Sequence, residues 1–233
     1  MTKVIGHRGA KGLALENTLA GFDLAQKLGV DAIEFDVRRT RDGQFVVSHD
    51  DHLHRVSDSR ASIKHLTYDE LHEIVLHNGE FVPLLHEALA AIENTPVVIE
   101  IKIRKHTEEI CAIVSQFPNL TVSFASFKRE VVADCVRLRP DVPTFLLSGV
   151  DAFGSVRTAR SLHAAGIGLR FWLMNPFTYF FARMYGLKMY VYTVNRPWVV
   201  RLLLRFYPGV DICTNLPDDV QALRDARADI EAK

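Results

Sequence analysis

The chain has 233 residues, of which 48 % are hydrophobic and 24 % charged; that suits one globular domain and, at typically roughly 250 residues, one (β/α)8 barrel. Its 28 Lys and Arg are matched by 28 Asp and Glu, so no global charge draws it to nucleic acid or an anionic membrane, and any basic site is local. No apolar run reaches the roughly 18 residues that a spanning helix needs, so no transmembrane segment is expected.

In chain order, short β-rich runs alternate with segments of helical period. Strands are expected at residues 3–6, 31–36, 96–101, 120–125, 142–147, 166–171, 187–194 and 210–214. Helices are expected at 19–28, 84–92, 107–117, 129–138, 153–165, 177–185, 197–206 and 218–228. Several strands are unbroken apolar runs, such as Pro96-Val97-Val98-Ile99, which is how a parallel strand buried on both faces reads. About eight strand–helix pairs favour a closed TIM (β/α)8 barrel over an open sheet. One stretch breaks the rhythm. After the second strand, Asp42-Gly43 marks a turn, residues 44–48 are strand-like, and the chain wanders through about 51–82 before the next helix. This is expected to be a small insertion at the C-terminal face of the barrel, within a single domain spanning 1–233.

Polar side chains collect where strands end. His7-Arg8-Gly9 follows the first strand, Glu34-Phe35-Asp36 closes the second, His49-Asp50 opens the insertion, and Glu100-Ile101-Lys102 closes the third. Alternate residues of a strand share a face, and barrel enzymes place catalytic groups at the C-terminal strand ends. If those faces are the barrel interior, Glu34, Asp36 and Glu100 converge. Three converging carboxylates repel one another unless protonated or neutralised. One divalent cation, Mg2+ or Ca2+, suits such an all-oxygen ligand set. Arg8 and Lys102 lie beside them, and the planar fork of Arg8 matches phosphate oxygens. The combination describes a site for an anion whose charge grows in the transition state. His7 and His49 offer an acid and a base with pKa near neutral.

Other residues carry local expectations. Cys111, Cys135 and Cys213 are far apart and lack zinc spacing, so they read as buried reduced thiols suited to a reducing compartment. No apolar stretch of signal length follows Met1-Thr2-Lys3, so the cytoplasm is the expected location. Phe177, Phe180, Phe181 and Met184 fall at helical spacing and read as the core face of their helix. Trp172 and Met174, just beyond the sixth strand, are either a substrate wall, together with Tyr192, or packing at the rim.

The blocks His7-Arg8-Gly9, Glu16-Asn17-Thr18, Glu34-x-Asp36, Asp42-Gly43, His49-Asp50 and Glu100-x-Lys102 occur in order. They resemble the signature of the glycerophosphodiester phosphodiesterase family, a phosphatidylinositol-phosphodiesterase-like barrel. Tyr192-Thr193-Val194-Asn195, Gly209-Val210-Asp211 and Thr214-Asn215-Leu216-Pro217 resemble that family's last two strand ends. The resemblance covers nearly the whole chain. It implies a TIM barrel with a small insertion after the second strand, and hydrolysis of a glycerophosphodiester to glycerol 3-phosphate and an alcohol. It implies metal ligands at Glu34, Asp36 and Glu100, an acid/base pair at His7 and His49, and phosphate contacts at Arg8 and Lys102. A glycerol hydroxyl attacking phosphorus first, to give a cyclic phosphate that water opens, belongs to the same implication. Lysophospholipase D activity on lysophospholipids is the alternative for this site. The family often has Trp where this chain has Tyr192 and Asp where it has Asn215; both departures are expected to touch substrate detail, not chemistry. Glu16 and Asp50 are expected to orient neighbours, and Asn17 or Thr18 to cap the first helix. His52-x-His54 resembles the ligand pair of amidohydrolase barrels, but that pair belongs at the end of the first strand.

Overall fold

A strand that is apolar on both faces needs two cores, and this chain supplies them by closing its sheet. The computed structural model describes residues 2–231, so the expected domain bounds Met1 and Lys233 lie outside the described residues. Along them run β1 (Val4–His7), α1 (Leu19–Lys27), β2 (Ala32–Arg39), β3 (Phe45–Val47), α2 (Tyr68–His72), α3 (Leu85–Ala91), β4 (Val97–Ile101), α4 (Thr107–Val114) and β5 (Val122–Ser126). They continue with α5 (Arg129–Leu138), β6 (Thr144–Ser148), α6 (Ala152–Ser161), β7 (Gly166–Arg170), α7 (Pro176–Met184), β8 (Lys188–Tyr192), α8 (Pro197–Phe206), β9 (Val210–Thr214) and α9 (Pro217–Glu231). β1, β2 and β4 to β9 pair in parallel, and β9 returns to β1 to close an eight-stranded TIM barrel. β3 lies outside the barrel, antiparallel to β2. The expected strands and helices are present with ends moved by a few residues. Helix α2 and the 3-10 turns Ile63–His65 and Phe171–Leu173 are additions that periodicity did not indicate.

Alternation divides each strand between an inner and an outer core. In β2, Ile33, Phe35 and Val37 face the helices and pack with Phe22, Leu85 and Leu89. Burying a side chain of this kind contributes roughly 1.5–3 kcal/mol. Ala32 belongs to the inner core with Ile5, Val98, Leu147, Tyr190 and Cys213. Gly168 leaves space for the Tyr190 ring, because a Cβ there would lie 2.6 Å from Tyr190 Cζ. The same alternation sets Glu34 and Asp36 above Ala32, and Glu100 above Val98, on the inner face. All three cysteines are buried free thiols.

The insertion builds a small core of its own from Leu53, Ile63, Leu71, Leu76 and Val82 against Val46 of β3. A capping box between Thr67 and Glu70 starts α2. On α7 the expected core face holds only for Phe181, which packs partly buried against the outer core, and is overturned for the other three. Phe177, Phe180 and Met184 are 75 %, 60 % and 56 % exposed, and the helix buries Thr178 and Ala182 instead. Helical spacing identifies a stripe; α7 is apolar on two stripes, and the one with small residues fits against the barrel. Among the described residues no helix is long and apolar enough to cross a membrane.

Candidate active site

β1 ends in a turn that holds Arg8 at φ 53° and Gly9 at φ 86°. A Cβ on Gly9 would lie 2.8 Å from the Gly21 carbonyl oxygen, so the turn needs glycine for space as well as for its dihedral. In this conformation the Arg8 amide donates to Glu34 Oε2 at 2.9 Å. Its guanidinium reaches Glu16 Oε1 at 2.7 Å and Asp36 Oδ2 at 3.3 Å. Asn17, also left-handed at φ 57°, donates from Nδ2 to Asp36 Oδ2 at 3.0 Å. Such non-glycine conformations cost about 1–3 kcal/mol each and persist where surroundings over-determine them. Thr18, not Asn17, caps α1, accepting from the Gly21 amide at 3.1 Å.

Register brings the carboxylates together: Glu34 lies opposite His7, and Asp36 opposite Glu100. Glu34, Asp36 and Glu100 are buried, and one oxygen of each lies within 4.8 Å of the others. Lys102 Nζ sits 3.0 Å from Asp36 Oδ1 and 2.6 Å from Glu100 Oε1. Against three carboxylates there are two cations, Arg8 and Lys102, and the ionisation is correspondingly unequal. Burial, then the charges of Asp36 and Glu100, holds the Glu34 carboxyl well above its ordinary range. Burial, then Asp36, pushes Glu100 up to about 7. Burial works against Asp36 too, but Lys102 and then Arg8 hold it well below the usual carboxylate range. Asp36 Oδ1 is buried without a hydrogen-bond partner; its contact to Lys102 has ion-pair distance but not hydrogen-bond geometry. An orphaned oxygen among three buried carboxylates fits a hard divalent cation, which would replace the proton favoured on Glu34 and give Asp36 Oδ1 a partner.

The two histidines face this cluster with different partners. His7 Nδ1 lies 2.6 Å from Asn215 Oδ1. An amide oxygen only accepts, so Nδ1 carries the hydrogen and Nε2 keeps its lone pair. Burial, then the Arg8 charge, lowers His7 to about 3. His49 Nδ1 lies 2.6 Å from Asp50 Oδ1. Asp50 is held down to about 2, against the effect of burial, by Arg55 and His49. Burial lowers His49 as well, with Asp36 opposing. Arg55 also pairs with Glu16, whose carboxyl is held at about 2, despite burial, by Arg55, Arg8 and Lys11. The insertion is thereby clamped to the Arg8 turn.

His7, Arg8, His49, Glu100 and Lys102 open on one cavity of ≈ 370 Å³, shared with Phe127, Arg170, Trp172, Tyr192 and Thr193. Met174 is not among these residues. It is 8 % exposed and packs in the outer core, because the 3-10 turn Phe171–Leu173 presents Trp172 to the mouth and turns the next side chain inward. The candidate wall is therefore Trp172 and Tyr192, with Phe127 added. His52 and His54 are exposed in the insertion and take no part in the carboxylate cluster. Two residues were not foreseen in the acid/base neighbourhood. Asn215 touches His7 although the two lie 208 positions apart, so its departure bears on the acid/base candidate and not on substrate detail alone; its signal was its place at the end of the last strand, beside β1 once the barrel closes. Arg55 has no local signal at all.

Residues 7–226 match the model of the glycerophosphoryl diester phosphodiesterase family. The chain is 26 % identical over 233 residues to a glycerophosphodiester phosphodiesterase of Caldanaerobacter subterraneus subsp. tengcongensis, covering 93 % of this chain and 95 % of that protein. It is 33 % identical over 160 residues to the human lysophospholipase D GDPD1, spanning 61 % of this chain and 51 % of that one. In fold it is similar to an Oleispira antarctica phosphodiesterase solved in complex with the product sn-glycerol-3-phosphate, with TM-score 0.90, 24 % identity and 97 % of each chain covered.

Proposed function

Because the chain belongs to the glycerophosphoryl diester phosphodiesterase family and is a phosphoric diester hydrolase, we propose that it cleaves glycerophosphodiesters to glycerol 3-phosphate and an alcohol. In this proposal Glu34, Asp36 and Glu100 hold one divalent cation, and His7 and His49 are the acid/base pair. The observation that carries it is the charge balance of the site. With all three carboxylates ionised, they sum to zero with Arg8, Lys102, a divalent cation and a phosphodiester monoanion; without the cation and the substrate the same groups would leave one negative charge, which the proton favoured on Glu34 offsets.

The bound cation would supply positive charge to the phosphate oxygens as negative charge grows on them. Arg8 and Lys102 approach the same phosphate from the cavity wall. His7 Nε2, the ring position without a hydrogen, accepts the proton of the attacking glycerol hydroxyl. His49, aligned by Asp50, donates a proton to the departing alcohol oxygen; the phosphodiester charge added to that of Asp36 favours its imidazolium form. The bond from the hydroxyl oxygen to phosphorus forms as the bond to the alcohol breaks, leaving a cyclic phosphate. Water then attacks phosphorus, losing a proton to His49, and the ring oxygen regains one from His7. The barrel and its insertion at about 51–82 act as one domain in this scheme, and the free thiols suit the reducing cytoplasm.

Turnover of glycerophosphocholine with and without chelator, reading glycerol 3-phosphate release, tests the proposal. Loss of turnover in chelator and recovery with Mg2+ or Ca2+ is expected; full turnover in excess chelator would sink it. A second scheme, lysophospholipase D at the same site, is favoured by two rings exposed at the mouth, Trp172 at 59 % and Phe127 at 46 %.

A further inference from the structure

Six of the large apolar side chains left in water lie close together in the fold. Val150, Phe153, Trp172, Phe177, Phe180 and Trp198 are between 49 % and 88 % exposed. They lie in the loop after β6, the 3-10 turn after β7, or the first two turns of α6, α7 and α8. Each barrel helix begins at the end where the strands finish, so these positions form a rim beside the catalytic mouth. The rim covers the arc over β6 to β8, across the barrel from the insertion that leaves β2. Its rings run from helix to helix: Phe153 meets Phe181 at 5.3 Å and Phe181 meets Phe180 at 5.8 Å. Isolated exposed apolar residues are ordinary on a surface, whereas a cluster of this kind marks an interaction site.

The same arc is cationic. Residues 152–210 contain eight Lys and Arg and no Asp or Glu, and the acid at the rim, Asp151, lies just before that stretch. In proportion to the 28 acids among 233 residues, such a stretch would hold about seven. All eight cations are exposed, and among the described residues none lies within ion-pair distance of a carboxylate. The rest of the chain is left with 20 cations against 28 acids, so a neutral protein has one strongly positive side. Arg157, Arg170, Arg196 and Arg201 are its rim members. Arg170 lies 5.1 Å over the Trp172 ring, and both line the cavity that holds His7 and Lys102.

We propose that this rim docks on the surface of an anionic phospholipid bilayer, with the catalytic mouth turned toward the headgroups. Aromatic side chains seat at the headgroup boundary, and exposed cations are drawn to anionic lipid. A second copy of the chain is the weaker candidate, since two such faces would bring like charges together. Docking deepens the phosphodiesterase function by presenting the site to phosphodiesters at a membrane, but it is measured without turnover, so the two can fail separately.

The test is co-sedimentation of the full chain with vesicles of phosphatidylcholine alone, or of phosphatidylcholine mixed with phosphatidylglycerol. Binding to the mixed vesicles is expected to be at least about tenfold tighter and to weaken with added salt. The double variant F177S/F180S, and separately R157E/R201E, should each weaken it by about tenfold or more. Both should hydrolyse soluble glycerophosphocholine as the parent does and melt at its temperature. The absence of binding to mixed vesicles at low salt overturns the proposal, as does binding that neither variant changes. A dimer dissociated by F177S/F180S, with no vesicle binding, would assign the face to a second copy and overturn it equally.

Discussion

Asn215 Oδ1 accepts a hydrogen bond from His7 Nδ1, 2.6 Å away, a bond between the last and the first strand ends of the closed barrel. The partner is a neutral amide, and burial and the Arg8 charge lower His7 to about 3, which favours the neutral ring with its lone pair on Nε2. Asn215→Asp places a carboxylate on the ring, favours imidazolium and raises the His7 pKa. The acidic limb of the kcat/KM profile should move to higher pH. Asn215→Ala should lower kcat by about tenfold with little change in KM, because the ring loses orientation rather than substrate contact. An unchanged pH profile in Asn215→Asp would separate Asn215 from the proton transfer.

Replacing His7 or His49 by Ala should each cost roughly 10²–10⁴-fold in rate, the usual span of general acid–base catalysis. A substrate whose leaving alcohol has a low pKa needs little protonation. It should recover much of the loss in His49→Ala and little in His7→Ala. The reverse pattern would exchange the two roles. His52→Ala, exposed in the insertion, should leave the rate unchanged.

Metal binding should depend on pH in a defined direction. Glu34 and Glu100 are raised above the ordinary carboxylate value of 4.5, Glu100 to about 7. A raised carboxylate pKa contributes stability below the unfolded value, and that contribution is lost as pH rises through the folded value. Asp36 acts in the opposite sense, but its depressed pKa puts that loss far below this window. The metal-free protein therefore loses stability between about pH 5 and pH 8. A divalent cation displaces the protons, so the Tm gain on adding Mg2+ or Ca2+ should be larger at pH 8 than at pH 5. Glu34→Gln should remove the gain without unfolding the protein. Calorimetry showing equal gains at both pH values would count against these three ligands.

For substrate choice, the wall offers Trp172, Phe127 and Tyr192 beside Arg170 and Lys102, a surface more suited to a polar headgroup than to a long chain. An apolar chain lying on a wall gains roughly 0.8 kcal/mol per buried CH2, so a true acyl site would be strongly selective. Soluble glycerophosphocholine is expected to match or exceed lysophosphatidylcholine in kcat/KM below the micelle concentration. A preference for the lysolipid of about tenfold or more, lost in Trp172→Ala, would make lysophospholipase D the main activity.

Much of the fold and the candidate site was legible because it depends on local order. Strand–helix alternation, unbroken apolar runs and the two-residue period of a strand are properties of neighbours in sequence. They sufficed to set Glu34 with Asp36, and Glu100 with Lys102, on shared faces at strand ends. The tertiary structure decided what the period leaves open. It determined which stripe of α7 meets the barrel, burying Thr178 and Ala182 and leaving Phe177 and Phe180 in water. It turned Met174 into the outer core beside an exposed Trp172. It joined His7 to Asn215 and Glu16 to Arg55, pairs that no local pattern connects. Periodicity says which side chains travel together; barrel closure and the packing of helices against it say what they meet, because contacts between distant residues depend on the whole chain being folded at once.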